Sequence, residues 1–194
     1  MLFKKNTLAE NVILIDQYDQ MIGTMDKLQA HCSGKLHRAF SIFIFNSSGE
    51  LLLQQRAFEK YHSGGKWTNT CCSHPQLGED TEAAAHRRLR EEMGMQCTLS
   101  KVFCFTYRAV VDNGLIENEI DHVFFGQTDD LPRPNDEEVA AVRYVTMTEL
   151  ETDIRTNPSH YTAWLKICFD LVKLNYRNYE TNRQFVRPLS INKN

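Results

Sequence analysis

What most constrains the fold is the brevity and order of the apolar runs. Val12 to Ile15, Phe40 to Phe45 (broken by Ser41) and Leu51 to Gln55 are short β-rich stretches. The turn-forming cluster Asn46-Ser47-Ser48-Gly49 joins the second to the third and predicts a hairpin. None approaches the roughly 20 apolar residues that a transmembrane helix needs, so no membrane partner is expected. Downstream, Thr81 can cap a helix reaching about Met93, with acidic residues at its start and Gly94 as its stop. Further strands are expected around 97 to 108, 119 to 127 and 139 to 145, and helices near 147 to 155 and 161 to 176. Strands and helices mix without regular β-α-β alternation, which predicts an α+β fold or sandwich-like sheet arrangement rather than a doubly wound sheet.

A chain of 194 residues is long enough for one sizeable core, so one domain is expected over 1–194, with its body at about 26–176. The polar tail from about 179 to 194 is expected to be less ordered, with Phe185-Val186 able to pack against the body. The formal net charge of −3 offers no broad basic surface, which argues against nucleic acid as a partner. Anionic ligands would need local cations or metals. The start, Met1-Leu2-Phe3-Lys4-Lys5-Asn6-Thr7, has no following apolar stretch or small-residue cleavage site, so it does not read as a secretory signal, and a cytoplasmic protein is expected. The six cysteines (Cys32, Cys71, Cys72, Cys97, Cys104, Cys168) lack a C-x-x-C spacing and are expected to be reduced.

Three constellations carry chemistry. In Trp67-Thr68-Asn69-Thr70-Cys71-Cys72-Ser73-His74-Pro75, after Gly64-Gly65, Cys72 sits two positions before His74, a thiol beside a potential metal ligand. The bland alternative is a pair of small buried hydrophobes and a satisfied histidine. His31 and His37 bracket a segment able to turn and bring both rings together. In Ile116-Glu117-Asn118-Glu119-Ile120-Asp121 a strand would point Glu117 and Glu119 to one face. On a surface such a pair is merely solvated; buried, it needs a cation or a shared proton. Three histidines and two glutamates could fill a five- or six-coordinate site for manganese, magnesium or zinc.

The third constellation is Glu79 with Arg87-Arg88-Leu89-Arg90-Glu91-Glu92-Met93-Gly94. Arg87 with Glu91 and Arg88 with Glu92 are spaced as helix ion pairs. The offset of Glu79 and the Glu91-Glu92-x-Gly ending fit the Nudix box, whose helix carboxylates hold divalent cations against a diphosphate. The match is incomplete. Ser73 stands six residues before Glu79 where the box has glycine, and Arg88 replaces a glutamate of the hydrolase core. An arginine there would rather contact the diphosphate itself.

Taken in order, Leu36-His37-Arg38-Ala39-Phe40-Ser41, Leu53-Gln54-Gln55-Arg56, Thr68 to Pro75, Tyr107-Arg108-Ala109 and Glu117-Asn118-Glu119 resemble the Nudix-fold isopentenyl diphosphate isomerases, from about Asp26 to Trp164. The resemblance implies a Nudix-like mixed sheet flanked by helices, with a short N-terminal extension. It implies that His31, His37, His74, Glu117 and Glu119 bind one divalent metal (manganese, zinc or magnesium), and that Glu92 with the Cys72 backbone helps hold a magnesium on the substrate diphosphate. Lys27, Arg56, Lys60 and Arg88 look like the family's diphosphate contacts. The reaction moves a carbon–carbon double bond and needs two proton carriers, for which Cys72 and Glu119 are the candidates, with Tyr107 orienting or feeding the proton. Trp164 would cover the site and stabilise positive charge through its ring face. A monomer or weak dimer is expected. The alternatives are a Nudix diphosphate hydrolase, in which Cys72 and the histidines lack a purpose, and a binding module that kept the fold without the chemistry.

Overall fold

The computed structural model describes residues 11–186, the side chains of residue 180 and of 182–186 excepted. Strands β1 (Asn11–Ile15) and β2 (Met21–Asp26) form an antiparallel hairpin. Helix α1 (Lys27–Ser33) follows at once, because the Asp26 side chain accepts the Gln29 backbone N–H at 3.0 Å and caps it. Gly34, at φ 60°, ends it in the left-handed conformation and donates its N–H to Ala30 O. A Cβ at Gly34 would also meet the Ile116 side chain at 3.2 Å. This sharp stop puts His31 in the last turn and lets β3 (His37–Phe45) begin at His37.

Strand β3 is the hub of a nine-stranded mixed sheet. It runs antiparallel to β4 (Leu51–Arg56), reached through the Asn46–Gly49 turn, and to β6 (Cys71–Ser73). It runs parallel to β8 (Ile116–Gln127) over its full length. Strand β5 (Trp67–Thr68) pairs with β4, β7 (Leu99–Val110) with β8, and β9 (Val139–Val145) with β4. Helices α2 (Thr81–Met93), α3 (Met147–Thr156) and α4 (Ala163–Val186) complete the fold.

Both faces of β3 are covered, which is why its sequence is apolar throughout rather than alternating. Phe40, Ile42, Ile44 and Phe124 pack with Ala84, Ala85, Leu89 and Met93 of α2. Phe43, Phe45, Val123 and Phe125 pack with Leu150 of α3 and with Leu165, Cys168, Phe169 and Val172 of α4. Each large side chain so buried contributes roughly 1.5–3 kcal/mol. Leu89 is fully buried between helix and sheet, and truncating it to alanine would cost about 2–5 kcal/mol.

The α+β class, the 46–49 hairpin and the helix ending at Gly94 are as the sequence predicts. The helix cap is Asp80 rather than Thr81: its carboxylate accepts from Glu82 N and Ala83 N, and Thr81 is already helical. Strands expected at 97 to 108 and 119 to 127 lie at Leu99–Val110 and Ile116–Gln127. The buried body begins before residue 26, since Val12, Ile13 and Ile15 are core residues. Helix α4 does not stop near 176 but runs to Val186, through the start of the expected tail, because Tyr176 and Tyr179 still pack on the second core cluster. The expected packing of Phe185 and Val186 lies outside the described side chains.

Candidate active site

The register of β3 places the chemistry on one face. Partners across a ladder point the same way, and alternate residues along a strand share a face. His37 pairs with Glu119, Ala39 with Asp121, Ser41 with Cys72, and Glu119 with Tyr107. Glu117, two residues before Glu119, lies on that face too. Cys72 and Glu119 therefore sit on strands that flank β3 on opposite edges, above the same side of the sheet.

Glu117 and Glu119 are 4% and 5% exposed, so the surface-strand alternative does not hold and the pair needs a cation or protons. His31 Nδ1 lies 2.6 Å from Lys27 O and His37 Nδ1 lies 2.8 Å from Lys35 O. A carbonyl only accepts, so both Nδ1 atoms carry hydrogen. In the neutral rings, Nε2 then presents a lone pair, 3.2 Å from Glu117 Oε2 for His31 and 3.2 Å from Glu119 Oε1 for His37. His37 Nε2 makes no hydrogen bond. His74 adds Nε2 at 3.0 Å from Glu119 Oε1, and ligand atoms of His31, His37, His74 and Glu119 all lie within 4.8 Å of one another. Lone pairs aimed at carboxylate oxygens repel unless something positive stands between them. Imidazoles whose other nitrogen donates to a backbone carbonyl are arranged as metal-binding histidines are. The donor set fits a divalent cation.

The same geometry can hold a proton. Burial alone would raise the Glu119 carboxyl, but a protonated His37, whose Nε2–H would then donate to it, outweighs burial and holds Glu119 down to about 2. His37 is raised correspondingly, Glu119 overcoming the lowering effect of burial. Burial, then the Lys27 charge, keeps His74 well below the usual histidine range and hence neutral. A cation entering here displaces protons.

Cys72 is held from three sides. Its S–H donates to Asn69 Oδ1 at 2.9 Å, Trp164 Nε1–H donates to Sγ at 3.2 Å, and Ser41 Oγ lies 3.6 Å from Sγ and 2.7 Å from Asp121 Oδ2. Burial, helped by the Asp121 charge, pushes the thiol up to about 12, so it is an S–H acid near neutral pH. Glu119 is contacted by Tyr107, whose hydroxyl donates to Oε2 at 2.6 Å. Burial and the Glu119 charge raise the phenol well above its usual range, so it remains a donor.

Lys27, Arg56, Lys60 and Arg88 line the same cleft as Cys72, Glu119 and Tyr107. Arg88 reaches it from α2 and pairs with Glu92 and, at 3.4 Å, with Glu138, which also binds Lys60. Glu92 accepts from Gln54 Nε2 at 3.2 Å and is 5% exposed. The Arg56 guanidinium lies 5.3 Å from the centre of the Trp164 ring, so the indole carries a cation and a thiol at once. Glu79 is not part of this cleft. Its carboxylate takes two hydrogen bonds from Arg87, at 2.7 and 2.8 Å, which accounts for the eight-residue offset by an ion pair. The described cysteines are free thiols, and no described helix is long and apolar enough to cross a membrane.

The NUDIX domain profile matches residues 35–165. Among solved structures, DR0079 from Deinococcus radiodurans superposes with a TM-score of 0.72 at 20% identity, over 86% of this chain and 99% of that one. The MutT protein from Methanosarcina mazei gives 0.59 at 17% identity, over 71% and 93%. These likenesses concern the fold. Sequence relatives are more specific: the isopentenyl-diphosphate Delta-isomerase of Pectobacterium atrosepticum is 53% identical over 81% of this chain and 88% of its own length. Isopentenyl-diphosphate Delta-isomerase 1 of Aromatoleum aromaticum is 53% identical over 85% and 93%. The chain belongs to the isopentenyl-diphosphate Delta-isomerase family.

For this member of the isomerase family, the cleft brings together eleven of the sequence-derived candidates, with His31 and His37 fully buried behind His74. Four further residues were not singled out by sequence reasoning. Asn69 lies inside the cysteine segment, Asp121 beside Glu119, and Glu138 in a loop before β9. His62 stands next to Ser63-Gly64-Gly65, and its position beside Glu117 is purely a matter of tertiary packing. The one signal in the sequence that could have found any of them is the place of Asn69 in the Thr68 to Pro75 segment, three residues before Cys72.

Proposed function

We propose that the chain converts isopentenyl diphosphate to dimethylallyl diphosphate through proton transfer by Cys72 and Glu119. The observation that carries this reading is an S–H acid and a Tyr107-bound carboxylate on one sheet face, on opposite edges of β3, lining one cleft. One carrier adds a proton to the terminal methylene, leaving a tertiary cation. The other removes a proton from the carbon between that centre and the diphosphate-bearing carbon, and the double bond forms there. One C–H bond is made and one broken, no phosphorus–oxygen bond changes, and the enzyme is left with a proton shifted between its two carriers. Tyr107 steadies the Glu119 carboxylate while its charge changes. Trp164 excludes water from the cation and offers its ring to it, an interaction worth about 2 kcal/mol when desolvated.

Lys27, Arg56, Lys60 and Arg88 bind the diphosphate, the arginines through paired donors. Glu92, with the Cys72 backbone, would help hold a magnesium ion, which would neutralise the diphosphate charge. His31, His37, His74, Glu117 and Glu119 would hold a second divalent ion, manganese, zinc or magnesium. Such an ion, when bound, supplies positive charge that lowers the proton affinity of Glu119. The chain acts as one domain, as a monomer or weak dimer in the cytoplasm, on a small-molecule substrate, without nucleic acid or membrane as partner.

The test is Cys72→Ala. Isomerisation should fall by at least about 10²–10⁴-fold, the usual contribution of a positioned acid–base group. Turnover within a few-fold of the parent would remove Cys72 from the chemistry.

A further inference from the structure

One buried imidazole of the cluster has no role in the reading above. His62 is 5% exposed, and its Nε2 lies 3.1 Å from Glu117 Oε1, while His31 Nε2 lies 3.2 Å from Glu117 Oε2. Glu117 thus has an imidazole at each oxygen, and the two differ. His31, like His37, has Nδ1–H tied to a backbone carbonyl, which leaves Nε2 as a lone pair for a cation. The nearest partner of His62 Nδ1 is the Ser63 hydroxyl at 3.4 Å, a group able to donate to it. A ring that accepts at Nδ1 carries its hydrogen on Nε2, and that hydrogen faces Glu117 Oε1. The ligand atoms of His62, His31 and Glu117 lie within 4.8 Å of one another, so proximity alone would also admit His62 as a ligand, and it is the Nδ1 partner that separates the two rings.

The ring is held in place by its loop. Ser63 is a non-glycine residue at φ 52°, a conformation that L-residues disfavour, and its N–H is anchored by Asp112 Oδ2 at 2.8 Å. The His62 carbonyl accepts from Arg56 Nη2 at 3.3 Å. Backbone and ring are therefore fixed independently of any ion.

We infer that His62 is a positioning residue: its Nε2–H donates to Glu117 Oε1 and turns Oε2 towards His31 and the divalent ion. The inference rests on the metal-centre reading above. It goes beyond that reading because His62 is neither a ligand nor a proton carrier in it.

The test measures affinity for manganese and zinc by chelator competition in the full chain, for the parent, His62→Leu, His62→Gln and His74→Ala, with folding checked by circular dichroism. His62→Leu should weaken metal binding about 10–100-fold, the usual cost of losing a group that orients a ligand. His62→Gln should stay within a few-fold, because its amide N–H can reach Glu117 but binds metal poorly. Parent-like affinity in His62→Leu, or an equal loss in His62→Gln and His62→Leu, overturns the inference. If His74→Ala keeps parent affinity, the metal-centre reading itself fails, an outcome distinguishable from the other two.

Discussion

His37 and Glu119 are register partners on adjacent parallel strands, and His37 Nε2 meets Glu119 Oε1 at 3.2 Å. One ladder contact thus ties the candidate metal site to a proposed proton carrier. Whatever fills the gap between those two atoms, proton or cation, sets the charge that Glu119 presents to the cleft.

Filling that gap with metal should stabilise the fold. At a free ion concentration about 100 times Kd the gain is about 2.7 kcal/mol, which for a chain of this size is roughly 5–10 °C in Tm. Thermal unfolding of chelator-treated protein with and without manganese should show the rise, and His74→Ala should abolish it. Equal rises in both proteins would place the ion elsewhere.

Asn69 should matter through the thiol it faces. Its Nδ2 donates to Ile42 O at 3.1 Å and Cys71 O at 3.0 Å, so only Oδ1 is available to Cys72. Asn69→Leu removes a donor from each of those carbonyls, at about 1–3 kcal/mol for any left without a partner, and frees the S–H to turn. We expect kcat to fall much more than KM rises, with metal content retained. A change confined to stability would make Asn69 structural only.

Acid stability should depend on Asp153, far from the cleft. The Tyr161 hydroxyl first, then Asn157 and Arg143, hold its carboxyl at about 2 against a usual 3.8. The folded value lies below the unfolded one, so the ionised form favours the fold. That contribution is complete above about pH 4 and is lost as pH falls towards 2. Denaturant unfolding should therefore separate the parent from Asp153→Asn at pH 7 and bring them together as pH approaches 2. A gap unchanged with pH would contradict this.

Much of the site was legible because its chemistry is unusual for a soluble core. A carboxylate pair on one strand face, three histidines and a cysteine two positions before a histidine have few joint explanations, although only the structure shows the pair to be buried. The core strand at Phe40–Phe45 was legible from its apolar run. Strand β6 was not, because three residues, Cys71–Ser73, carry no periodicity and are set by Asn69 and the register with β3. Helix α1, of seven residues, depends on the Asp26 and Gly34 ends rather than on propensity. The end of α4 looked like a tail because the residues after Tyr179, Glu180-Thr181-Asn182-Arg183-Gln184, are all polar and show no apolar face. His62 was hidden for another reason: nothing local says that the second oxygen of Glu117 has a partner.

The most direct measurement incubates metal-loaded protein with isopentenyl diphosphate and follows dimethylallyl diphosphate and released phosphate together. Isomer without phosphate is expected. Phosphate without isomer would contradict it in favour of hydrolysis, and neither product from folded, metal-loaded protein would leave only a binding module.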